Sequence, residues 1–216
     1  MGGSGQQALK RARVLVVGAG GLGSPVVAYL AGAGVGTLGI VDHDAVSLSN
    51  LHRQVIHTQI GANKAESAGQ FARALNPHVN VVVHGERLDA GNVAAMLSGY
   101  DLMLDGTDNL VTRRLVAATA ETLRLPLVSG AVSMFDGQVT VFAPGGPRFA
   151  DLYPEEADDS DLPSCEATGI LGPLTGIIGT LMAMEAIKLL TGIGEPLIGR
   201  VLTYDGKGAR FSEFGY

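Results

Sequence analysis

The chain has 216 residues, of which 46% are hydrophobic and 17% charged, with 31 glycines and a net charge of −6. That length suits one α/β domain over residues 1–216, and the apolar share suits a sheet of buried strands and excludes a disordered chain. No Lys/Arg run is long enough for a nucleic-acid tract, and the single cysteine, Cys165, excludes an internal disulfide and a cysteine-based zinc cage, so a cytoplasmic setting is expected.

Residues 1–13 are polar and basic and lack the apolar core of a signal peptide. The β-branched run 13–18 predicts a strand that ends in glycine. A glycine turn, an apolar helix over 25–34 and a second strand over 37–42 complete a βαβ unit. A polar loop over 43–54 leads to a helix ending at the breaker Asn76-Pro77. Residues 80–86 predict a third strand, and Asp89 is placed to cap a short helix through Leu97. Residues 100–106 predict a fourth strand, 109–124 a helix, 125–132 a fifth strand and 137–144 a sixth.

Residues 145–164 are acidic and rich in Pro and Gly, and predict a long surface loop. A helix-rich apolar segment over 169–191 follows, then a hairpin around Asp205-Gly206-Lys207-Gly208. The uncharged stretch Thr168–Met184 has the length of a membrane span. It holds four Gly and one Pro and runs into Glu185 and Lys188, so a buried or interface helix is expected and no membrane partner. Strands alternating with helices predict a Rossmann-like, doubly wound α/β fold, mostly parallel, with antiparallel C-terminal strands.

The first chemical signal is Gly18-Ala19-Gly20-Gly21-Leu22-Gly23, a G-x-G-x-x-G between a strand and a helix. Glycines admit a phosphate close to the backbone, and the helix N-terminus offers free N–H groups. Asp42 ends the second strand, where a carboxylate accepts hydrogen bonds from a ribose. To this point an NAD(P)-dependent oxidoreductase fits equally well. The next residues, Asn50, Arg53, Gln54 and Lys64, favour a triphosphate, because its β- and γ-phosphates need cations and amides where a dinucleotide does not. Asp108, in D-G-T-D-N at the end of the fourth strand, is placed to hold Mg²⁺, with Asn109 beside the nucleotide and Asp105 structural. Thr107 or Asp108 is alternatively a cap for the helix from 109, and Arg113 is placed to steady an acidic neighbour.

The ordered motifs G-A-G-G-L-G-S-P, V-D-x-D-x-V-x-x-S-N-L-x-R-Q, G-x-x-K-A, D-G-T-D-N-x-x-T-R, L-V-S-G-A and S-C-E-A-T-G-I-L-G-P resemble the ThiF/MoeB/HesA family of ubiquitin-activating-enzyme-like adenylyltransferases over residues 13–210. The resemblance implies that ATP and Mg²⁺ are used to adenylate the C-terminal glycine carboxylate of a ubiquitin-like sulfur carrier. That carrier would be ThiS- or MoaD-like, ending in Gly-Gly and serving thiamin or molybdopterin supply. It implies that Gly21 lies near the nucleotide, Asp42 binds ribose, Asn50, Arg53 and Lys64 contact phosphates, Asp108 holds Mg²⁺, and the apolar helix joins a homodimer. Cys165 matches the family's cysteine, which in some members attacks the acyl-adenylate. Nearby Asp159, Asp161 and Glu166 oppose a thiolate, so a passive cysteine stands beside the catalytic one.

Three departures from the family matter. Pro147-Arg148-Phe149-Ala150-Asp151 stands where many members place the first of two zinc-binding C-x-x-C pairs, and the second pair is absent, so no zinc is expected. The region would then be loose, or held by Arg148 on an acidic residue. The family's R-Y-x-R-Q segment, whose arginine reaches the other subunit's ATP, is missing ahead of the first strand. A catalytically weak binding or regulatory homologue is the alternative this raises.

Overall fold

Residues Arg13–Val17 form β1, whose side chains all lie buried beyond the exposed Arg13. Val14 and Val16 join one apolar cluster while Leu15 and Val17 join another, so the strand is covered on both sides. That is the burial a parallel sheet requires. The structure, a computed structural model, describes residues 2–154 and 169–216.

In chain order the elements are α1 (Gly2–Arg11), β1, α2 (Gly23–Ala33), β2 (Thr37–Val41), a 3-10 turn (Leu48–Asn50), α3 (Lys64–Leu75), β3 (Asn80–His84), α4 (Val93–Leu97) and β4 (Leu102–Asp105). There follow α5 (Leu110–Leu123), β5 (Leu127–Ser133), β6 (Asp136–Phe142), α6 (Phe149–Leu152), α7 (Gly172–Thr191), β7 (Arg200–Asp205) and β8 (Arg210–Gly215). One eight-stranded sheet runs β3-β2-β1-β4-β5-β6-β7-β8. β3, β2, β1, β4 and β5 are parallel, and β6, β7 and β8 are antiparallel. The doubly wound, mostly parallel architecture with antiparallel C-terminal strands stands as expected.

Helices α2, α3 and α7 cover one face and α4 and α5 the other. The strand order reverses at β1, which lies between β2 and β4, and open α/β sheets hold their ligands at that switch point. α7 spans 20 residues and is apolar enough, by length and composition, to cross a membrane. It packs against α1, α2, β5 and β6, and turns Leu174, Ile178 and Met182 into the core.

Two segments differ from the sequence expectation. The polar N-terminus forms α1, because Leu9 is fully buried and Gln6 Nε2 donates to Ala33 O at 2.9 Å. One anchoring leucine and α7 suffice to order a stretch whose own composition is unfavourable. The described part of the 145–164 loop contains the short helix α6, with its first turn closed by Asp151 Oδ2 accepting from the Arg148 N–H at 2.7 Å. The expected pairing of Arg148 with an acidic residue is present, to Asp151 Oδ1 at 3.5 Å. Phe149 lies between Phe142 and Tyr153, with ring centroids 5.5 and 4.7 Å away, and Tyr216 closes on Phe142 at 6.2 Å.

Candidate functional site

A cleft of about 640 Å³ opens at the C-terminal ends of β1, β2, β3 and β4 and continues across β5, β6 and β7. Its size is that of a small-molecule site. Gly18, Gly20, Gly21, Asp42, Arg53, Gln54, Lys64, Asp108 and Asn109 all line it. Residues from five separate stretches of chain therefore meet in one place. Asn50 and Gly23 are not among the lining residues: Asn50 is buried in the 3-10 turn, and Gly23 lies beneath the glycine turn.

The turn is built by close approach. Gly18 N donates to Val41 O at 2.8 Å and takes φ +90°, a conformation that favours glycine. A Cβ on Gly23 would collide with the Gly18 carbonyl oxygen, so α2 can start this close to β1 only with glycine there. Among the described residues the amides of Gly20, Gly21 and Leu22 have no acceptor. Unpaired amides at a helix N-terminus make a cradle that suits an anion.

Asp42 supports that cradle. Its Oδ2 accepts from Ala19 N at 2.8 Å and its Oδ1 from Asp44 N at 2.9 Å. Burial pushes its carboxyl above the ordinary range, against the pull of those two amides and the charge of Lys64. Each oxygen keeps a free lone pair, so a ribose hydroxyl can still be accepted.

The cations come from the segment after β2. Arg53 Nη1 donates to Ser49 O at 3.1 Å and lies 2.8 Å from His52 Nε2. Its other guanidinium N–H groups have no acceptor among the described residues. Lys64 is the first residue of α3 and is 7% exposed, with Nζ 2.9 Å from Asp44 Oδ2. Burial raises the Asp44 carboxyl pKa, but the hydrogen bond and charge of Lys64 outweigh it and leave the group below the ordinary range. Gln54 is buried in the cleft wall, and its Oε1 has no donor among the described residues. A buried carbonyl without a donor is costly, and a ligand hydroxyl or amino group would relieve it.

The β4–α5 connection separates three roles that the sequence left mixed. Asp105 is fully buried; its Oδ1 accepts from both Thr107 N (3.0 Å) and Thr107 Oγ1 (2.7 Å), while its Oδ2 has no donor among the described residues. Asn109 caps α5, its Oδ1 accepting from Thr112 N at 2.8 Å, so the cap is neither Thr107 nor Asp108. Asp108 is left exposed on the cleft lining, with no hydrogen-bond partner among the described residues. A carboxylate free in this way fits a hard divalent cation. Among the described residues Arg113 pairs with no acidic side chain: its guanidinium donates to the Thr107 carbonyl and, at 2.8 Å, to Gly130 O. It thereby pins the loop that carries Asp108 to β5. Cys165 and its acidic neighbours Asp159, Asp161 and Glu166 lie outside the described residues.

Sequence reasoning passed over several residues of this site. Glu86, Arg87 and Leu88 line it just after β3. Thr175 of α7 lines it too, with Oγ1 donating to Gly172 O at 2.7 Å. Gln138 donates to the Tyr153 hydroxyl in the half of the cleft below β5 and β6, and burial pushes that phenol's pKa up. None of these sits in a recognisable local motif; strand order alone delivers them. Asp42, His43 and Asp44 also bring ligand atoms within 4.8 Å of one another; there Asp42 accepts two amides and Asp44 pairs with Lys64.

Residues 1–215 match the ThiF family. The chain belongs to that family. Among curated relatives, the probable adenylyltransferase/sulfurtransferase MoeZ of Mycobacterium tuberculosis is 50% identical over 212 residues, covering 95% of this chain and 54% of MoeZ. The chain thus spans about half the length of that relative. The sulfur carrier protein adenylyltransferase of Thermus thermophilus is 47% identical over 98% of this chain and 81% of its own length. The SAMP-activating enzyme E1 of Haloferax volcanii is 45% identical over 100% and 81%. A crystal structure of E. coli MccB with ATP superposes with a TM-score of 0.86 at 19% identity, covering 98% of this chain and 66% of that one. At that identity the likeness concerns the ThiF-type fold.

Proposed function

We propose that this ThiF-family chain is an ATP-dependent adenylyltransferase that activates the C-terminal glycine carboxylate of a ubiquitin-like sulfur carrier. The observation that carries the reading is the meeting of unpaired glycine-turn amides with Arg53 and Lys64 in one cleft. Amides and two cations in that arrangement suit a polyphosphate. The names borne by the MoeZ, Thermus and Haloferax relatives point to the same chemistry.

In the proposed reaction a carboxylate oxygen of the carrier tail attacks the α-phosphorus of ATP. The bond between the α-phosphorus and its bridging oxygen breaks, and pyrophosphate leaves with the electron pair, giving an acyl-adenylate. No general base is needed, because the tail carboxylate is already ionised at neutral pH. Asp42 holds the ribose. Arg53 and Lys64 take up charge that builds on the leaving phosphates, and the glycine amides hold the chain of phosphates in line. Asp108 would hold Mg²⁺, which supplies further neutralisation of phosphate charge. The cleft's extension along Ala131, Val132 and Gln138 leaves room for an extended tail. With Pro147–Asp151 in place of the first zinc-binding pair and no second pair, the chain is read as zinc-free.

The second copy of the chain has a place to sit in this reading. Tyr29, Val55, Pro173, Ile177 and Leu181 line an apolar groove between α2, α3 and α7, and Tyr29 and Val55 are 55% and 71% exposed. We infer a homodimer through this groove.

The deciding experiment is exchange of labelled pyrophosphate into ATP with candidate Gly-Gly-ended carriers, using Arg53→Ala and Asp108→Ala as controls. Carrier-dependent exchange that drops by roughly 10²-fold in both variants supports the reading. Near-normal exchange in both would remove the site assignment, and NADH binding without exchange would favour an oxidoreductase.

A further inference from the structure

His57 is 4% exposed and does not line the cleft, yet it touches the glycine turn. Its Nε2 lies 2.7 Å from Ala19 O, and its Nδ1 lies 2.9 Å from Ser67 Oγ on α3. A carbonyl oxygen only accepts, so the ring proton sits on Nε2 and the Ser67 hydroxyl donates to Nδ1. Burial, the larger influence, lowers the ring's pKa, against the pull of the Ala19 carbonyl and Asp42, and this keeps the ring neutral.

Ala19 is fully buried and held from both ends: Asp42 Oδ2 takes its N–H at 2.8 Å and His57 takes its carbonyl. The chain has no cis peptide bond among the described residues. In a planar trans peptide the C=O of one residue and the N–H of the next point in opposite directions. Fixing the Ala19 carbonyl toward His57 therefore turns the Gly20 N–H the other way, toward the cleft that Gly20 lines. That amide has no acceptor among the described residues. Glycine-rich backbone has no side chain of its own to hold such an orientation, and reorienting a peptide plane is otherwise cheap.

We propose that His57, oriented by Ser67, is a positioning residue that presets the Gly20 amide as a phosphate donor. The proposal rests on the reading of the cleft as an ATP site. His57 meets no nucleotide atom and acts through the Ala19 peptide alone.

The test compares ATP with adenosine, which has the ribose and base but no phosphate. Titration calorimetry on the full chain is run for wild type, His57→Phe, His57→Gln and Ser67→Ala, with circular dichroism to establish folding. In His57→Phe the expected result is a roughly tenfold or greater loss of ATP affinity with adenosine affinity unchanged, the size of a hydrogen bond to a charged group. Ser67→Ala shows a smaller loss of the same kind. His57→Gln, which restores an N–H donor, recovers ATP binding. A purely structural role would weaken both ligands together or lower thermal stability alone. If ATP and adenosine fall in step, or if the folded variants bind ATP as wild type does, the proposal is overturned. Should His57→Phe not fold, Ser67→Ala decides by the same comparison. Wild type that binds neither ligand overturns the ATP reading itself, a distinct outcome.

Discussion

Lys64 Nζ lies 2.9 Å from Asp44 Oδ2, so the cation assigned to a phosphate in the proposed function is already paired in the absence of nucleotide. Lys64 is buried and Asp44 is half exposed. Removing the carboxylate strands an ammonium in a desolvated wall, which costs stability. Asp44→Asn should therefore melt lower than wild type, and its melting temperature should rise more on adding ATP, because phosphate supplies the lost counter-charge. Melts with and without ATP check this. An ATP-induced rise no larger than that of wild type would detach Lys64 from the phosphates.

Asp108 and Asn109 are neighbours with separable roles. Asn109→Ala removes the α5 cap and should cost about 1 kcal/mol in a urea titration. Asp108→Asn should leave that titration unchanged and lower Mg²⁺-dependent pyrophosphate exchange by roughly 10²-fold. Stability and activity effects in the reverse order would reassign both residues.

The Asp42 carboxyl is raised by burial above the ordinary value of 3.8. Its ionised form accepts the Ala19 amide and, in the proposed complex, a ribose hydroxyl. ATP affinity should therefore weaken as pH falls through the raised value, at a pH above that of a free carboxylate. For stability the sign is opposite: a folded-state pKa above the unfolded one makes proton uptake favour the fold, so unfolding through this group cannot explain the loss. Calorimetry of ATP binding across the acid range, with Asp42→Asn as control, measures it. The variant should bind more weakly throughout and lack this limb of the profile.

Tyr216 closes the aromatic group of Phe142, Phe149 and Tyr153, and its hydroxyl lies 3.0 Å from Thr140 Oγ1. Phe149 of this group stands in the segment where the family resemblance would put the first zinc-binding pair. Tyr216→Ala should destabilise by about 1–2 kcal/mol, through one aromatic contact and one hydrogen bond. Prolonged chelation should leave the wild-type melt unmoved, and elemental analysis should find no stoichiometric zinc. A chelator-induced drop in the melt would count against the zinc-free reading.

The groove between α2, α3 and α7 predicts a self-association that one charge disrupts. Ile177→Glu should shift sedimentation at micromolar concentration from dimer to monomer, because an unpaired carboxylate cannot be buried in an apolar seam. A wild-type chain that sediments only as monomer removes the dimer.

Much of the site was legible because its parts are local. The glycine turn needs small residues at fixed spacing, and Gly18 and Gly23 meet that need through a positive φ and a near-contact that the spacing foretells. Asp42 directly follows β2, at the strand end where the βαβ unit places a carboxylate. Asn109 was less legible, since Thr107, Asp108 and Asn109 are all competent caps and only backbone geometry chose among them. The role of Arg113 is not legible in sequence, because its partners are carbonyl oxygens, which carry no sequence signal. α1 is not legible in sequence, because its order comes from Leu9 and Gln6 meeting segments far along the chain.

By itself the sequence determined the alternation of strands and helices, the glycine turn and the acidic and basic residues available to it. These follow from periodicity and steric need within a few residues of one another. The tertiary structure decided which of them share a surface. It brought Arg53, Lys64 and Asp108 to one cleft and kept Asn50 off its lining. It also set His57 behind Ala19 and Tyr153 beside Gln138. Those meetings depend on strand order and helix packing between distant segments, where only burial and hydrogen-bond geometry select the partner.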